Sequence, residues 1–241
     1  MLSFDEIYQR AANRKGGEDE LKALLPKPIS RAELIALPDD RALAEMSKGV
    51  FRAGFSWRVI EQKWPGFEEA FLEFSPKRLV FETDEFWERL TSDKRIVRHG
   101  QKIMAVRHNA QFIIETADQH GSFGKFVAAW PADNIIELWD HLLKHGKRLG
   151  GMTGKYFLRT IGKDSFLPST DVVIALRDAG LEIAENPTSK RDLGRIQDQI
   201  NTWGEETGLS QTHISRVLAM SAGKNFDLET LHNMAGSDED A

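Results

Sequence analysis

The sequence predicts an all-α fold. No segment combines the two-residue periodicity and the β-branched enrichment that are typical of strands. Apolar residues recur at helical spacing, with serine or aspartate before several of these runs and glycine after them. A glycine-rich turn, 149–154, lies between two such runs and predicts a helical hairpin over 135–162.

The first elements are short helices. Residues 3–12 and 18–25 each carry apolar side chains at helical spacing and are separated by a pair of glycines. Ser30 has the residue type of an N-cap, and Glu33 stands at the reciprocal position three residues later. This pair predicts a capping box at the start of a helix over 31–37.

The middle of the chain continues as helices that are rich in aromatic residues. Asp39 or Asp40 is expected to cap a longer helix, which Gly54 ends. Ser56 is expected to cap the helix that follows, and two aromatic residues flank it. A further long helix is predicted to end near Gly121.

The hairpin is the stretch with the clearest chemical meaning. A helix that begins just after glycines offers unpaired backbone N–H groups and the positive end of its dipole, which suit a phosphate oxygen. The stretch 142–163 has no acid and six basic residues, which are Lys144, Lys147, Arg148, Lys155, Arg159 and Lys163. Asp171 follows just past Pro168 and two hydroxyl residues, at the start of the next apolar segment, and is expected to cap a helix over 171–179. This combination suits chemistry on a nucleic acid.

Composition excludes several classes of protein. The 241 residues are 41% hydrophobic and 29% charged, which is typical of a globular protein long enough to bury a core. There is no apolar run of membrane-spanning length, and the first residues lack a secretory core. With no cysteine there is no thiolate metal site. The net charge of −5 opposes general coating of DNA but allows a local basic surface.

The hairpin resembles that of the helix-hairpin-helix DNA glycosylase superfamily. Leu149, Gly151 and Met152 match the superfamily pattern, while Thr153 stands where its second glycine is expected and Gly154 follows one place later. The resemblance implies a two-lobed glycosylase fold in which hairpin amides hold a DNA phosphate and an aspartate, here Asp171, drives cleavage between base and sugar. The DNA contacts implied in the hairpin are Gly151, Thr153, Gly154 and Lys155.

Two further stretches are similar to DNA-3-methyladenine glycosylases of type I. One is 53–57, Ala-Gly-Phe-Ser-Trp, and the other is 96–103 with the Asn-Ala pair at 109–110. The resemblance implies that Trp57 stacks on an extruded base while Gly54 and Phe55 lie at the gap left in the duplex. An aromatic face suits a cationic alkylated purine through stacking and cation–π attraction.

The chain also departs from that family. Gly49 stands where the family has a base-binding glutamate, and Glu45, one helical turn earlier on the same face, is the expected substitute. The family's N-terminal signature and its zinc ligands are absent. We therefore expect a divergent, monofunctional glycosylase that needs no metal and no organic cofactor.

Other interpretations remain open. Trp57 could be a core residue and Asp171 only a helix cap. The departures allow a lesion-binding protein without catalysis. Residues 208–218 resemble the second helix of a helix-turn-helix and would suit a transcriptional DNA binder. That signal is weak because Glu205 and Glu206 precede the helix, whose recognition face supplies only Gln211, Thr212 and Arg216.

The expected organisation has two lobes and a tail. Residues 1–50 with 181–235 form one helical lobe, 51–180 form the central lobe, and 236–241 form a disordered acidic tail. The expected function is hydrolysis of the N-glycosidic bond of alkylated bases, 3-methyladenine above all. The expected partner is double-stranded DNA with damaged bases, without a membrane, and the expected state is a cytoplasmic monomer at the nucleoid.

Overall fold

The computed structural model describes residues 1–27 and 29–225, and the predicted acidic tail lies outside them. Within these residues helices are the regular structure and no strand occurs, which confirms the all-α prediction. The α-helices are α1 Phe4–Lys15, α2 Glu18–Ala23, α3 Arg31–Ala36, α4 Asp39–Arg52, α5 Trp57–Ala70, α6 Pro76–Leu79, α7 Asp84–Leu90, α8 Gly100–His120, α9 Phe123–Ala129, α10 Ile135–His145, α11 Met152–Thr160, α12 Thr170–Asp178, α13 Lys190–Thr207 and α14 Gln211–Ser221. Short 3-10 turns lie at Leu72–Phe74 and Ala132–Asn134.

Serine residues cap several of these helices. The predicted box at Ser30 is present, because its side chain accepts from the Glu33 amide and the Glu33 side chain accepts from the Ser30 amide. Ser3 and Glu6 make the same reciprocal pair at the start of α1. Each box satisfies two groups that a helix N-terminus leaves unpaired.

The helices form two compact units. Among the described residues, the first consists of 1–27, Pro131–Ile136 and 164–225, and the second of Ile29–Trp130 and Glu137–Lys163. Compared with the lobes expected from the sequence, residues 29–50 fall in the second unit, and 131–136 and 164–180 fall in the first. In the second unit, the reason is that α4 packs on α8 and on α11.

The second unit is built on a cluster of aromatic side chains. Phe51 of α4 meets Phe67 of α5 edge to face, with ring centroids 4.6 Å apart. Phe71 and Phe74 continue the stack around a left-handed turn, Leu72–Phe74, in which all three residues have positive φ. Burial of these rings fixes the angle at which α4 leads into α5, and this connection carries the 53–57 stretch.

The first unit is built around α14. Helix α14 packs against α1, α12 and α13, and its apolar residues Ile214, Val217 and Leu218 are fully buried. None of the helices in the described part of the chain is long and apolar enough to cross a membrane.

Candidate active site

The 53–57 turn presents two aromatic side chains to solvent. Gly54 takes φ +76°, and the Phe55 amide donates to the Arg52 carbonyl at 3.1 Å, so the chain reverses tightly between α4 and α5. Trp57 is the first residue of α5 and is 44% exposed, whereas Trp87 is 2% exposed. Phe55 is 40% exposed. The two residues therefore lie outside the core, where they are available to a ligand.

A buried arginine supports the Trp57 ring. The Arg52 guanidinium lies 4.7 Å from the centroid of the indole, and its Nε and Nη2 donate to Glu61 Oε1 at 3.1 and 2.6 Å. Lys48 Nζ lies 2.9 Å from the other Glu61 oxygen. Arg52 is buried while Trp57 is exposed, so the guanidinium covers the inner side of the ring and leaves indole surface for stacking.

Lys102 fixes the same turn from beneath. Its Nζ donates to the Phe51 carbonyl at 3.0 Å and to the Ala53 carbonyl at 2.5 Å, which are carbonyls that the end of α4 leaves without helical partners. The ammonium also lies 4.4 Å from the centroid of the Phe55 ring. Burial, together with the charge of Arg148, lowers the pKa of Lys102. Lys102 lies within the 96–103 stretch, but no local feature of the sequence signals this role.

Glu45 is half-buried on α4. Burial raises the pKa of its carboxyl, although Lys48 and Arg52 oppose this through their charges. Four residues on, Gly49 faces the hairpin, because a Cβ placed on it would lie 3.6 Å from Thr153 Cγ2. The structure thus brings together two departures from the family pattern, Gly49 and Thr153, at the contact between α4 and α11.

The hairpin has the predicted geometry for an open helix N-terminus. Helices α10 and α11 flank the turn, and Gly151 precedes α11 with φ +60° and ψ −131°. In the described part of the chain no side chain caps this end, so the first amides of α11 have no side-chain acceptor. Gly154 lies against the Leu149 carbonyl, which a Cβ would approach to 2.3 Å. The glycine expected at 153 is thus required at 154 instead.

Polar side chains hold the hairpin turn in place. The Asn109 side chain, which is fully buried, accepts from the Lys147 amide at 2.6 Å and donates to its carbonyl at 3.1 Å. Arg148, at φ +62°, donates to Gln101 at 2.5 Å. Lys155 Nζ donates to the Gly151 carbonyl at 2.8 Å and lies over the Trp139 ring, and burial lowers its pKa.

The exposed Trp57 ring, which we call the platform, contacts the hairpin within the second unit. Trp57 and Tyr156 of α11 are in edge-to-face contact, with ring centroids 6.4 Å apart. Trp57, Phe55, Glu45, Gly54 and the hairpin residues all belong to this unit. Asp171 belongs to the first unit.

The prediction that Asp171 caps its helix is wrong. Helix α12 begins at Thr170, and its N-cap is Ser169, whose side chain accepts from the Val172 amide at 3.5 Å. Ser169 can take this role because the chain before α12 is extended, while Asp171 already lies within the first turn. Among the described residues, no hydrogen bond or ion pair engages the half-buried Asp171 carboxylate.

Helix α14 is a support for the Asp171 segment. The Asp164 carboxylate accepts from the amides of Gln211 and Thr212 at 3.1 and 2.8 Å, and Ser215 Oγ accepts from the Leu167 amide at 3.0 Å. Gln211 is buried and donates to the Ala132 carbonyl. The face that a recognition helix would offer to DNA is used inside the first unit, which argues against the helix-turn-helix interpretation.

Within residues 1–27 and 29–225, no group of three or more histidine, aspartate or glutamate side chains is arranged to hold a metal ion.

Comparison with known proteins gives one family. Residues 36–145 match the family model for methyladenine glycosylase. DNA-3-methyladenine glycosylase 1 of Escherichia coli (strain K12) is 32% identical over 76 residues, which are 32% of this chain and 41% of that protein. The chain thus spans about two fifths of that curated relative.

Two solved structures are also similar. One is 3-methyladenine DNA glycosylase I in complex with 3-methyladenine, with 27% identity over 52% of this chain and 80% of the other, and a TM-score of 0.47. The second is the Staphylococcus aureus enzyme, with 25% identity over 57% of this chain and 80% of the other, and a TM-score of 0.48.

Proposed function

The chain resembles the methyladenine glycosylase family through residues 36–145, and from this premise we propose that it is a DNA repair glycosylase. The substrate is duplex DNA with alkylated bases, 3-methyladenine above all. The observation that carries the proposal is the exposed Trp57 platform, which lies inside the matched region and contacts the hairpin helix through Tyr156.

The second unit binds the damaged nucleotide. The first amides of α11 hold a backbone phosphate, with Thr153 and Lys155 beside it, while the nucleotide rotates out of the stack. Phe55 and Gly54 lie at the gap, and the base stacks on Trp57. Glu45 accepts a hydrogen bond from the exocyclic amine of adenine.

Asp171 serves the chemical step. The bond between the sugar C1′ and the base nitrogen breaks, and its electron pair leaves with the base. The carboxylate stabilises the positive charge that develops on the sugar and takes a proton from the water that attacks C1′. A base methylated at N3 already carries positive charge, so it departs without a strong general acid. Water is the nucleophile, so no strand break accompanies base release, and the reaction needs neither metal nor organic cofactor.

The wider context follows from this activity. We propose that the protein acts as a monomer and that it works on nucleoid DNA in the cytoplasm, because its substrate is a lesion in chromosomal DNA.

A second candidate is a lesion-binding protein without catalysis. Gly49 offers no carboxylate to the base, and Thr153 occupies the neighbouring space. Such a protein would bind damaged duplex and release nothing.

Base release from methylated duplex DNA distinguishes the glycosylase from the lesion-binding protein. Wild-type protein should release 3-methyladenine without nicking the strand. Asp171→Asn should lose at least about 100-fold in rate while it retains binding, because the amide cannot accept the proton or stabilise the cation. Tight binding of methylated duplex by wild type with no base released would sink the enzyme proposal and leave the lesion-binding protein.

A further inference from the structure

The Asp171 carboxylate lies against a glycine far away in sequence. A Cβ placed on Gly223 would lie 1.9 Å from Asp171 Oδ1 and 2.4 Å from its Cγ. Non-bonded heavy atoms do not approach so closely, so the carboxylate occupies the space that any side chain at 223 would need. Gly223 also takes φ +66°, but this backbone conformation does not by itself explain the contact.

Gly223 is held firmly by the first unit. Arg14 of α1 donates through Nε to the Met220 carbonyl at 2.9 Å, and through Nη2 to the Ala222 and Gly223 carbonyls at 3.2 and 2.8 Å. The Met220 carbonyl lies in the last turn of α14 and the other two follow the end of the helix, where helical partners run out. Asn225 then donates to the Arg14 carbonyl at 3.1 Å. The backbone under Asp171 is therefore fixed from α1.

The other side of Asp171 is fixed as well. Ser169 caps α12, and the Ser215 hydroxyl of α14 bonds the backbone of Leu167 just before that helix. The carboxylate itself has no polar partner in the part of the chain that the structure describes. Its direction thus depends on packing, and the carboxylate packs against the Gly223 backbone.

We propose that Gly223, anchored by Arg14, is a positioning residue that sets the direction of the Asp171 carboxylate during base release. The inference rests on the proposed function, in which Asp171 acts on the sugar. A side chain at 223 would turn the carboxylate away from the sugar, and a displacement of about 1 Å from a productive geometry can cost about 100-fold in rate. Binding of the lesion would remain, because the residues that bind the base lie in the second unit.

The test compares Gly223→Ala with Gly208→Ala in the full chain. Gly208 has φ +72°, close to that of Gly223, but a Cβ there would meet nothing within 4 Å. The two variants share the backbone strain and differ in the contact with Asp171. We expect Gly223→Ala to lower kcat for release of 3-methyladenine by about 100-fold with KM unchanged, and Gly208→Ala to keep the wild-type kcat.

The double variant Asp171→Asn/Gly223→Ala excludes a general structural effect. Its residual rate should equal that of Asp171→Asn, because the glycine acts only through the carboxylate. Arg14→Gln keeps the glycine but removes its anchor, so it should lower kcat even if Gly223→Ala does not fold.

Each result decides something. The positioning role is overturned if Gly223→Ala keeps the wild-type kcat, or if the double variant is slower than Asp171→Asn. In both cases the glycosylase proposal stands. If Gly223→Ala does not fold, wild-type kcat in Arg14→Gln overturns the positioning role in the same way. A wild-type protein that releases no base overturns the proposed function and the role of Gly223 with it.

Discussion

Buried cations shape the turn that carries the candidate platform. Lys102 is buried, and its ammonium group donates to two carbonyls at the end of α4 and lies beside the Phe55 ring. Arg52 lies behind Trp57 and is held by Glu61. A buried cation that is hydrogen-bonded fixes its surroundings, because the unpaired alternative is costly.

We predict that Lys102→Met destabilises the fold by about 1–3 kcal/mol, because two buried carbonyls lose their donor. Binding of methylated duplex should weaken as well, since the turn with Phe55 and Trp57 is released. Urea unfolding and a binding titration measure the two effects. Lys77→Met is the matched control, because Lys77 is exposed and this variant should resemble wild type. Equal effects of both substitutions would contradict the role of Lys102.

Trp57→Ala is expected to leave stability nearly unchanged, because the ring is largely exposed, and to cost about 1–3 kcal/mol in binding of the lesion. Trp87→Ala, in the core, should instead lower the free energy of unfolding by about 3–5 kcal/mol. Thermal unfolding measures the loss of stability and the binding titration measures the loss of affinity, so together they distinguish a ligand-binding ring from a core ring. A large loss of stability in Trp57→Ala would mean that this residue packs rather than binds.

At the scale of elements, the hairpin depends on one close approach. Gly154 allows the first turn of α11 to lie against the Leu149 carbonyl, and Asn109 of α8 ties the turn from the other side. The open amides at Gly151 are therefore presented by a rigid turn, and rigidity reduces the entropy lost when a phosphate binds.

Gly154→Ala should lower stability by about 1–3 kcal/mol and weaken binding to any duplex, damaged or not, because a Cβ would displace the Leu149 carbonyl. Gly194→Ala serves as the control in a helix where a Cβ meets nothing within 4 Å, and it should be neutral or slightly stabilising. Urea unfolding and anisotropy with undamaged duplex test both. Unchanged duplex binding in Gly154→Ala would mean that the hairpin does not bind the DNA phosphate.

For the whole molecule, the half-buried carboxyl of Glu45 links stability to pH. Burial raises its pKa, so the folded state prefers the protonated form. The stabilisation from this preference is complete below the pKa in the unfolded chain and is lost as pH rises through the folded pKa.

Glu45→Gln should therefore unfold at a higher temperature than wild type near about pH 7, and the difference should vanish near about pH 4, where both side chains are neutral. Thermal unfolding across this range measures it, with the exposed Glu88→Gln as a control that should show no such trend. A variant that is less stable than wild type at neutral pH would mean that attraction to Lys48 and Arg52 outweighs burial.

The sequence by itself determined the features that depend on neighbours along the chain. Helix type follows from apolar spacing, the Ser30 box from residues three apart, and the hairpin from its glycines. The resemblance carried by 53–57 and 96–103 located the family match as well. Only the tertiary structure decided which side chains support the site. Lys102 lies 49 residues from the Ala53 carbonyl it bonds, and Gly223 touches Asp171 from beyond α14. Such contacts depend on how helices pack, and one sequence carries no local signal of which distant backbone a carboxylate will meet.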